Sequence, residues 1–215
     1  MLSYQANGIG VAVEATESDA PVVVLRHEIV PDSAGPGLHR GGAAMLRDSL
    51  WLRSAQHHLM SLHFKRAPGF GANGGGDGRS GGIWLWDAGE RAPALSQAGP
   101  QSYASSTPVA GVLDPQTHAP SPDGTYRYPY RVPFWETSPD AVLRYVNCAG
   151  GGWGEALERD VELVKRDVRD GYVSIEGAAR DYGVVVAGDP DRDPEGLTLD
   201  LDATERLRTS MRGER

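Results

Sequence analysis

Histidines are the side chains best suited to catalysis or metal binding here, and only three of the six in this 215-residue chain lie close together. These are His57, His58 and His63. On a strand, His57 and His63 point to one face and His58 to the other, and no Asp or Glu lies between them to complete a metal site. The sequence also lacks an H-E-x-x-H motif and a C-x-x-C pair. We therefore predict no metal on this chain and no complete catalytic set.

A turn at Pro31–Gly37 carries the next group of polar side chains. Ser33 follows Asp32 in this turn, which resembles the setting of a nucleophile only loosely. An Asx turn, in which Asp32 accepts backbone N–H bonds, is the more common role for an aspartate in such a turn. Arg40 follows, and its guanidinium suits a carboxylate of a substrate or of a partner chain, or a structural salt bridge. Asp32 and Arg40 are thus candidate substrate- or partner-contact residues, with a structural role as the competing interpretation of each.

The segment Pro68–Gly82 has eight glycines in fifteen residues, which rules out a regular element. One interpretation is a mobile surface loop. The other is a loop ordered against a partner or ligand, because a string of free backbone N–H groups can bind an anion. Gly74, Gly75 and Gly76 are the candidate contact residues in that case. No Gly-Lys-Ser/Thr follows, so the segment is not a P-loop.

Composition excludes several classes of function. The net charge of −8 makes the chain a poor partner for nucleic acid. The longest apolar stretches are too short to span a bilayer, and the N-terminus has no signal-peptide pattern. The single cysteine, Cys148, permits no internal disulfide and fits a reducing compartment. We expect a cytoplasmic protein that binds neither nucleic acid nor membrane.

Helical patterns are confined to the C-terminal part of the chain. Apolar residues recur at helical spacing after a glycine cluster, at Leu157, Val161, Val164 and Val168. We predict Asp160 as the cap of this first helix and Gly171 as its stop. A second helix starts at Ser174 and ends at Gly183, and a third opens at a capping box that begins with Asp202.

The preceding residues favour short strands separated by turns. We therefore predict a β-rich α+β fold with antiparallel sheets and a small helical C-terminal part. The predicted domains are a β-rich region at 1–147 and a helical part at 148–215 packed on it. The first would contain the glycine-rich loop 68–82 and a long irregular connection at 87–133, which is rich in Pro, Ser, Gly and Thr.

Two segments together resemble one family. Pro31–Gly42, PDSAGPGLHRGG, is similar to the PDSGG-x-G-x-x-RGG signature of the hydantoinase B/oxoprolinase family. The run Ala149–Val186 resembles the C-terminal signature of that family, in which a glycine cluster and an LERD-like helix lead to DV-x-x-G-x-VS and a YGVV strand. The chain departs from the pattern at Gly154-Glu155-Ala156, where the family commonly has Gly-Asp-Pro.

The resemblance implies a small B-type subunit of a multi-subunit ATP-dependent enzyme, a cyclic-amide hydrolase or a ketone carboxylase. Such a subunit would shape the substrate chamber and the assembly, and would be inactive alone. No cofactor is expected on this chain, whereas ATP and a divalent metal are expected on partner subunits. The expected partners are an A-type ATP-binding subunit and a chain with the N-terminal B-type half, in a hetero-oligomer. In the family, the N-terminal half of the B-type subunit carries the metal-linked motifs.

Two other functions remain open on the sequence alone. The chain could be a non-catalytic scaffold subunit whose ancestral site has decayed. It could also be a stand-alone hydrolase that uses the histidine cluster, which would require a bound metal.

Overall fold

A computed structural model describes residues 12–57, 69–88, 103–128 and 135–213. These residues hold ten β-strands and four α-helices, which confirms the predicted α+β class with antiparallel sheets and helices near the C-terminus. The chain folds as two compact units. Unit 1 draws on Met1–Glu28, Met45–Arg66 and Ser80–Asn147, and unit 2 on Ile29–Ala44, Ala67–Arg79 and Cys148–Arg215. No helix in the described ranges has the length and apolar character that crossing a bilayer requires.

Eight strands and one short helix make up the described part of unit 1. They are α1 (Val13–Asp19), β1 (Val22–Ile29), β2 (Met45–Trp51), β3 (Ala55–His57), β4 (Gly82–Trp86), β5 (Thr107–Leu113), β6 (Thr125–Arg127), β7 (Trp135–Thr137) and β8 (Ala141–Val146). Six of the strands form one sheet in the order β1-β2-β8-β4-β5-β6, and β3 pairs antiparallel with β7. At the edge strand β1, the Val24 N–H donates to Glu17 Oε1 of α1 at 2.8 Å.

Large side chains on one face of β2, β8 and β4 form the core of unit 1. The register places Asp48 opposite Arg144 and Arg144 opposite Trp84, with Val142 opposite Trp86 two residues along. All five side chains are fully buried. Alternation along these strands therefore buries one set of side chains, as expected for an antiparallel sheet with a covered face.

The prediction of a long irregular connection at 87–133 is wrong in its described parts. Strands β5 and β6 lie inside it, and β5 pairs with β4 through Gly82↔Gly111 and Ile83↔Ala110. The segment Thr107–Leu113 has few large apolar residues, so its strand character comes from neighbours in the sheet rather than from its own pattern. Gly111 has a φ of 133°, which a residue with a side chain rarely adopts.

Unit 2 contains the other three helices: α2 (Val161–Arg169), α3 (Ile175–Tyr182) and α4 (Leu201–Gly213). The predicted caps of the first two are confirmed. Asp160 accepts from the N–H groups of Glu162 and Leu163, and the Ser174 hydroxyl accepts from Gly177 N. Gly183, with a φ of 62°, ends α3 as predicted.

The predicted cap of the last helix is displaced by two residues. Asp200, not Asp202, accepts from the Ala203 N–H at 2.8 Å, and α4 begins at Leu201. Thr204 is buried and uses its hydroxyl to accept from Val185 N at 3.0 Å. The Thr204 hydroxyl therefore binds a neighbouring segment of unit 2.

An apolar cluster holds α2 and α3 to the short two-stranded sheet β9 (Val186–Ala187) and β10 (Thr198–Leu199). Its fully or almost fully buried members are Ala156, Val164, Val168, Val173, Ala178, Tyr182, Val184, Val186 and Leu197. The predicted helical spacing of Val164 and Val168 thus does select the inward face of α2. Burial raises the pKa of Tyr182 to about 12, so its phenol stays neutral in this cluster.

Candidate functional site

Three glycine-rich segments of unit 2 bind one another through their backbones. We call residues 31–42, 69–79 and 149–154 together the glycine framework. Gly150 N donates to Gly42 O at 2.8 Å, Gly152 N donates to Gly76 O at 2.9 Å, and Gly76 N donates to Pro36 O at 2.7 Å. Each segment is thus hydrogen-bonded to the other two. The segment 69–79 forms ordered pairings, although its composition alone also allowed a mobile loop.

Close packing explains why the framework is made of glycine. A Cβ atom on Gly41 would overlap the carbonyl oxygen of Gly150, and one on Gly152 would overlap that of Pro36. A Cβ on Gly75 would in turn overlap the carbonyl of Gly152. The backbones approach so closely that they form a core without side chains.

Of the three glycine candidates, Gly74 lies in a tight turn. Gly75 N donates to Ala72 O at 3.0 Å, and the central residues Asn73 and Gly74 have φ values of 53° and 92°. This is the geometry of a type I′ turn, for which Asn-Gly is a favoured pair. Gly74 packs against the Glu155 side chain, and Gly76 packs against the Pro36 ring. The structure therefore places Gly75 and Gly76 against other framework residues and Gly74 against Glu155, which directly follows the framework.

Asp32 joins the framework to the start of α3. It has a φ of 56°, and its carboxylate accepts from Ser174 N at 2.8 Å and from the Ser174 hydroxyl at 2.6 Å. Its own N–H donates to Tyr172 O at 3.0 Å. The carboxylate thus accepts backbone and hydroxyl hydrogen bonds from a segment 142 positions away rather than from its own turn.

Arg40 lies in a second connection, around the buried carboxylate of Asp167. Arg40 Nε donates to Asp167 Oδ1 at 3.0 Å, and Arg159 Nη2 donates to Asp167 Oδ2 at 2.8 Å. Arg159 also donates to Leu38 O at 2.8 Å. The Arg40 guanidinium lies 4.0 Å from the centre of the Tyr172 ring. Two cations that share one buried carboxylate thus fix the framework to α2.

Ser33 is buried, and its hydroxyl both donates and accepts a hydrogen bond. Its hydroxyl donates to Val30 O at 2.6 Å and accepts from Ala44 N at 2.8 Å. It therefore closes the loop that contains Asp32 and Arg40. No proton acceptor that could activate it as a nucleophile is seen among these contacts.

The other histidines and carboxylates in the described ranges do not form a metal site. Among the described residues, no group of three or more His, Cys, Asp and Glu could hold a metal ion. His57 lies 3.0 Å from Thr137 Oγ1 and edge-on to Trp51, and burial lowers its pKa. His58 and His63 lie outside the described residues.

The sequence also contains a serine motif that is not among the candidates considered so far. Gly78-Arg79-Ser80-Gly81-Gly82 fits the G-x-S-x-G pattern of α/β-hydrolase nucleophiles. That motif requires a sharp turn from a strand into a helix, whereas Ser80 precedes strand β4 and has no positive φ. The structural context therefore does not match the motif.

A buried ion pair in unit 1 was likewise not predicted from the sequence. Arg144 Nε and Nη2 each donate to a carboxylate oxygen of Asp48 at 2.8 Å. The guanidinium lies 5.1 Å from the Trp86 ring and 5.3 Å from the Tyr103 ring. The only sequence signal was a charged residue at an inward position of each strand.

A sequence profile of the family described as hydantoinase B/oxoprolinase matches residues 3–156, which is more than half of the chain. The chain belongs to this family. One relative is the caprolactamase subunit beta of Pseudomonas jessenii, 28% identical over 176 residues, which are 82% of this chain and 25% of the relative. The chain spans about a quarter of the length of the curated relatives it matches.

Two solved structures share the fold of this hydantoinase B/oxoprolinase family member. The ATP-dependent caprolactamase from Pseudomonas jessenii gives a TM-score of 0.57 at 23% identity, with 92% of this chain and 28% of that chain covered. A nucleotide-free structure of acetone carboxylase gives 0.52 at 21% identity, with 95% and 26% covered. The resemblance seen in the two sequence signatures is confirmed.

Proposed function

We propose that the chain is a B-type component of an ATP-dependent enzyme in the hydantoinase, oxoprolinase and ketone carboxylase group. It shapes the substrate chamber and the assembly and does not bind ATP. The observation that supports this role is that side chains of the two family signatures bind each other. Asp32 of the first signature binds Ser174 of the second, and Arg40 binds Asp167. Residues that could have contacted substrate instead position the glycine framework.

The proposed partners follow from the relatives. One relative is the subunit beta of a caprolactamase, and the solved caprolactamase is described as an ATP-dependent enzyme. The acetone carboxylase structure is likewise described in terms of ATP-dependent acetone carboxylation. We infer an A-type subunit that binds ATP and a divalent metal, and a polypeptide that supplies the rest of the B-type subunit. The assembly is a hetero-oligomer in the cytoplasm, where ATP is available.

The test is reconstitution. The purified chain is assayed for ATP hydrolysis, lactam or hydantoin opening and ketone carboxylation, alone and then with A-type and B-type partner chains. We expect no turnover from the chain alone, and ATP-dependent turnover from the complete mixture. Full activity of the partners without this chain would contradict the proposal, as would robust turnover by the isolated chain.

A purely scaffolding role is the second candidate, because both Asp32 and Arg40 are engaged in contacts within unit 2. Conservative changes at exposed framework positions distinguish the chamber-shaping role from the scaffolding role. Asn73→Gly keeps the type I′ turn, and Arg79→Gln removes an exposed charge. If the framework lines a substrate chamber, one of them changes KM or substrate preference at an unchanged amount of complex. If the role is scaffolding, both leave KM unchanged.

A further inference from the structure

Two large aromatic side chains are exposed on the glycine framework. Trp153 is 48% exposed and Phe70 is 53% exposed, whereas Trp84 and Trp86 of unit 1 are fully buried. The exposed residue His39 has its ring centre 5.6 Å from that of Trp153. We call Phe70, Trp153 and His39 the aromatic patch. Exposed aromatic side chains gathered on hydrogen-bonded neighbouring segments, as here, mark interaction sites in soluble proteins.

The backbone fixes Trp153 in its exposed position. Trp153 N donates to His39 O at 2.9 Å, and His39 N donates to Trp153 O at 2.9 Å. On its other side Trp153 forms a parallel bridge with Ala72. Moving the indole to the opposite face would require the backbone to give up these pairings, so the framework holds this apolar surface in water.

Phe70 belongs to the segment that pairs with Trp153. It lies two residues before Ala72, and its carbonyl packs against Gly151 so closely that a Cβ there would overlap it. Both aromatic residues are therefore mounted on a hydrogen-bonded backbone. Such a surface loses little conformational freedom on binding, and tryptophan is enriched among the residues that dominate binding energy.

The relatives indicate what covers the patch. All three residues lie within the region 3–156 that the family profile matches. In the caprolactamase subunit beta the matched region is 25% of the polypeptide, so about three quarters of that subunit lies outside it. In such a relative the two parts are one polypeptide, so the remainder is always available to contact the matched region. Any other protein would have to bind as a separate molecule.

We propose that the aromatic patch docks the remaining part of a B-type polypeptide, through an apolar surface that encloses Trp153 and Phe70. This inference rests on the proposed function, because it names the surface through which the B-type partner binds. The net charge of −8 disfavours an anionic partner such as nucleic acid or an acidic membrane.

The test uses a defined probe. The Pseudomonas jessenii caprolactamase subunit beta, expressed without the region that this chain matches, is co-purified with the full chain, and the affinity is measured by calorimetry. We expect Trp153→Ala and Phe70→Ala each to weaken binding about tenfold or more, and Trp153→Phe to weaken it less. Leu201→Ala is the matched control, because Leu201 is 61% exposed in the same unit. Circular dichroism and the unfolding midpoint verify that each variant, and the truncated subunit used as the probe, is folded.

Three results would overturn the proposal. Binding that Trp153→Ala and Phe70→Ala leave unchanged would place the interface elsewhere, while the proposed function would stand. No binding by the wild-type chain would remove the proposed occupant. Self-association of the chain that Trp153→Ala abolishes would make a second copy the occupant. The proposed function falls separately, if the reconstituted partners are fully active without this chain.

Discussion

The sheet of unit 1 and the glycine framework of unit 2 are stabilised in opposite ways. In the sheet, large side chains such as Trp84, Trp86 and Arg144 fill the interior. In the framework, backbone packs on backbone, and charged side chains bind at its edges. A side-chain core can be repacked with other side chains of similar volume. A backbone core has no volume to exchange, which explains why the glycine motifs are so recognisable in the sequence.

The buried ion pair of the sheet gives the largest expected effect. Asp48→Leu leaves the Arg144 guanidinium buried without its carboxylate, at a cost of about 3–5 kcal/mol in the free energy of unfolding. Urea denaturation measures this cost. Because a side-chain core can be repacked, adding Arg144→Met should recover most of the loss. A double variant no more stable than Asp48→Leu would contradict this description of the sheet.

Neighbouring glycines test the framework. Gly41→Ala places a Cβ on the Gly150 carbonyl, whereas a Cβ on Gly42 has no atom within 4 Å. We expect Gly41→Ala to destabilise the protein by about 3 kcal/mol and Gly42→Ala to change stability by less than about 0.5 kcal/mol. Equal unfolding midpoints for the two variants would show that the backbone contacts do not determine stability.

The charged residues at the framework edge rank next. Arg40→Ala removes a hydrogen bond to buried Asp167 and the stacking on Tyr172, at a cost of about 2 kcal/mol. Arg40→Lys should recover little, since an ammonium cannot reproduce the planar contacts. The exposed Arg206→Ala is the control, with no expected change. Full rescue by lysine in urea denaturation would reduce this contact to simple charge attraction.

The cap of α3 is expected to depend on the framework, unlike the cap of α2. Ser174→Ala loses a cap and a donor to Asp32, at about 1 kcal/mol. Ser174→Asp, normally an acceptable cap, should be worse because it faces the Asp32 carboxylate. Asp160→Asn in α2 should be nearly neutral. A stable Ser174→Asp variant in thermal unfolding would argue against the Asp32 contact.

The smallest effect concerns pH and unit 1. Burial lowers the pKa of His57 below its usual value of 6.5. As the pH falls, His57 therefore binds a proton in the unfolded chain before it does so in the folded chain. The contribution of neutral His57 to the free energy of unfolding is present above about pH 6.5 and is lost as the pH falls through the folded-state pKa. His57→Gln should flatten the dependence of the urea midpoint on pH in that range. An unchanged slope would assign the dependence to other groups.

Local signals predicted the elements that local interactions determine. Asp160, Ser174 and Gly183 act as caps and stops within a few residues of their own helices, so their positions could be predicted from the sequence. The signature residues also predicted the family, because positions where no side chain fits must be glycine and so form a recognisable sequence pattern.

Contacts across long sequence distances could not be predicted this way. Strand β5 depends on its partners in the sheet, and Asp48 meets Arg144 across 96 positions. The sequence favoured an Asx turn at Asp32, which is wrong, because its carboxylate accepts from Ser174, 142 positions away. No local pattern records which distant segment a carboxylate binds.

One measurement tests the central claim directly: kcat per assembled complex for Asp32→Asn in the reconstituted enzyme. A residue that holds the framework changes how much complex forms, so we expect less complex with a kcat close to that of the wild type. A general acid or base would instead cost about 10²-fold or more in kcat. Such a loss at a normal amount of complex would contradict the structural role assigned to the first signature.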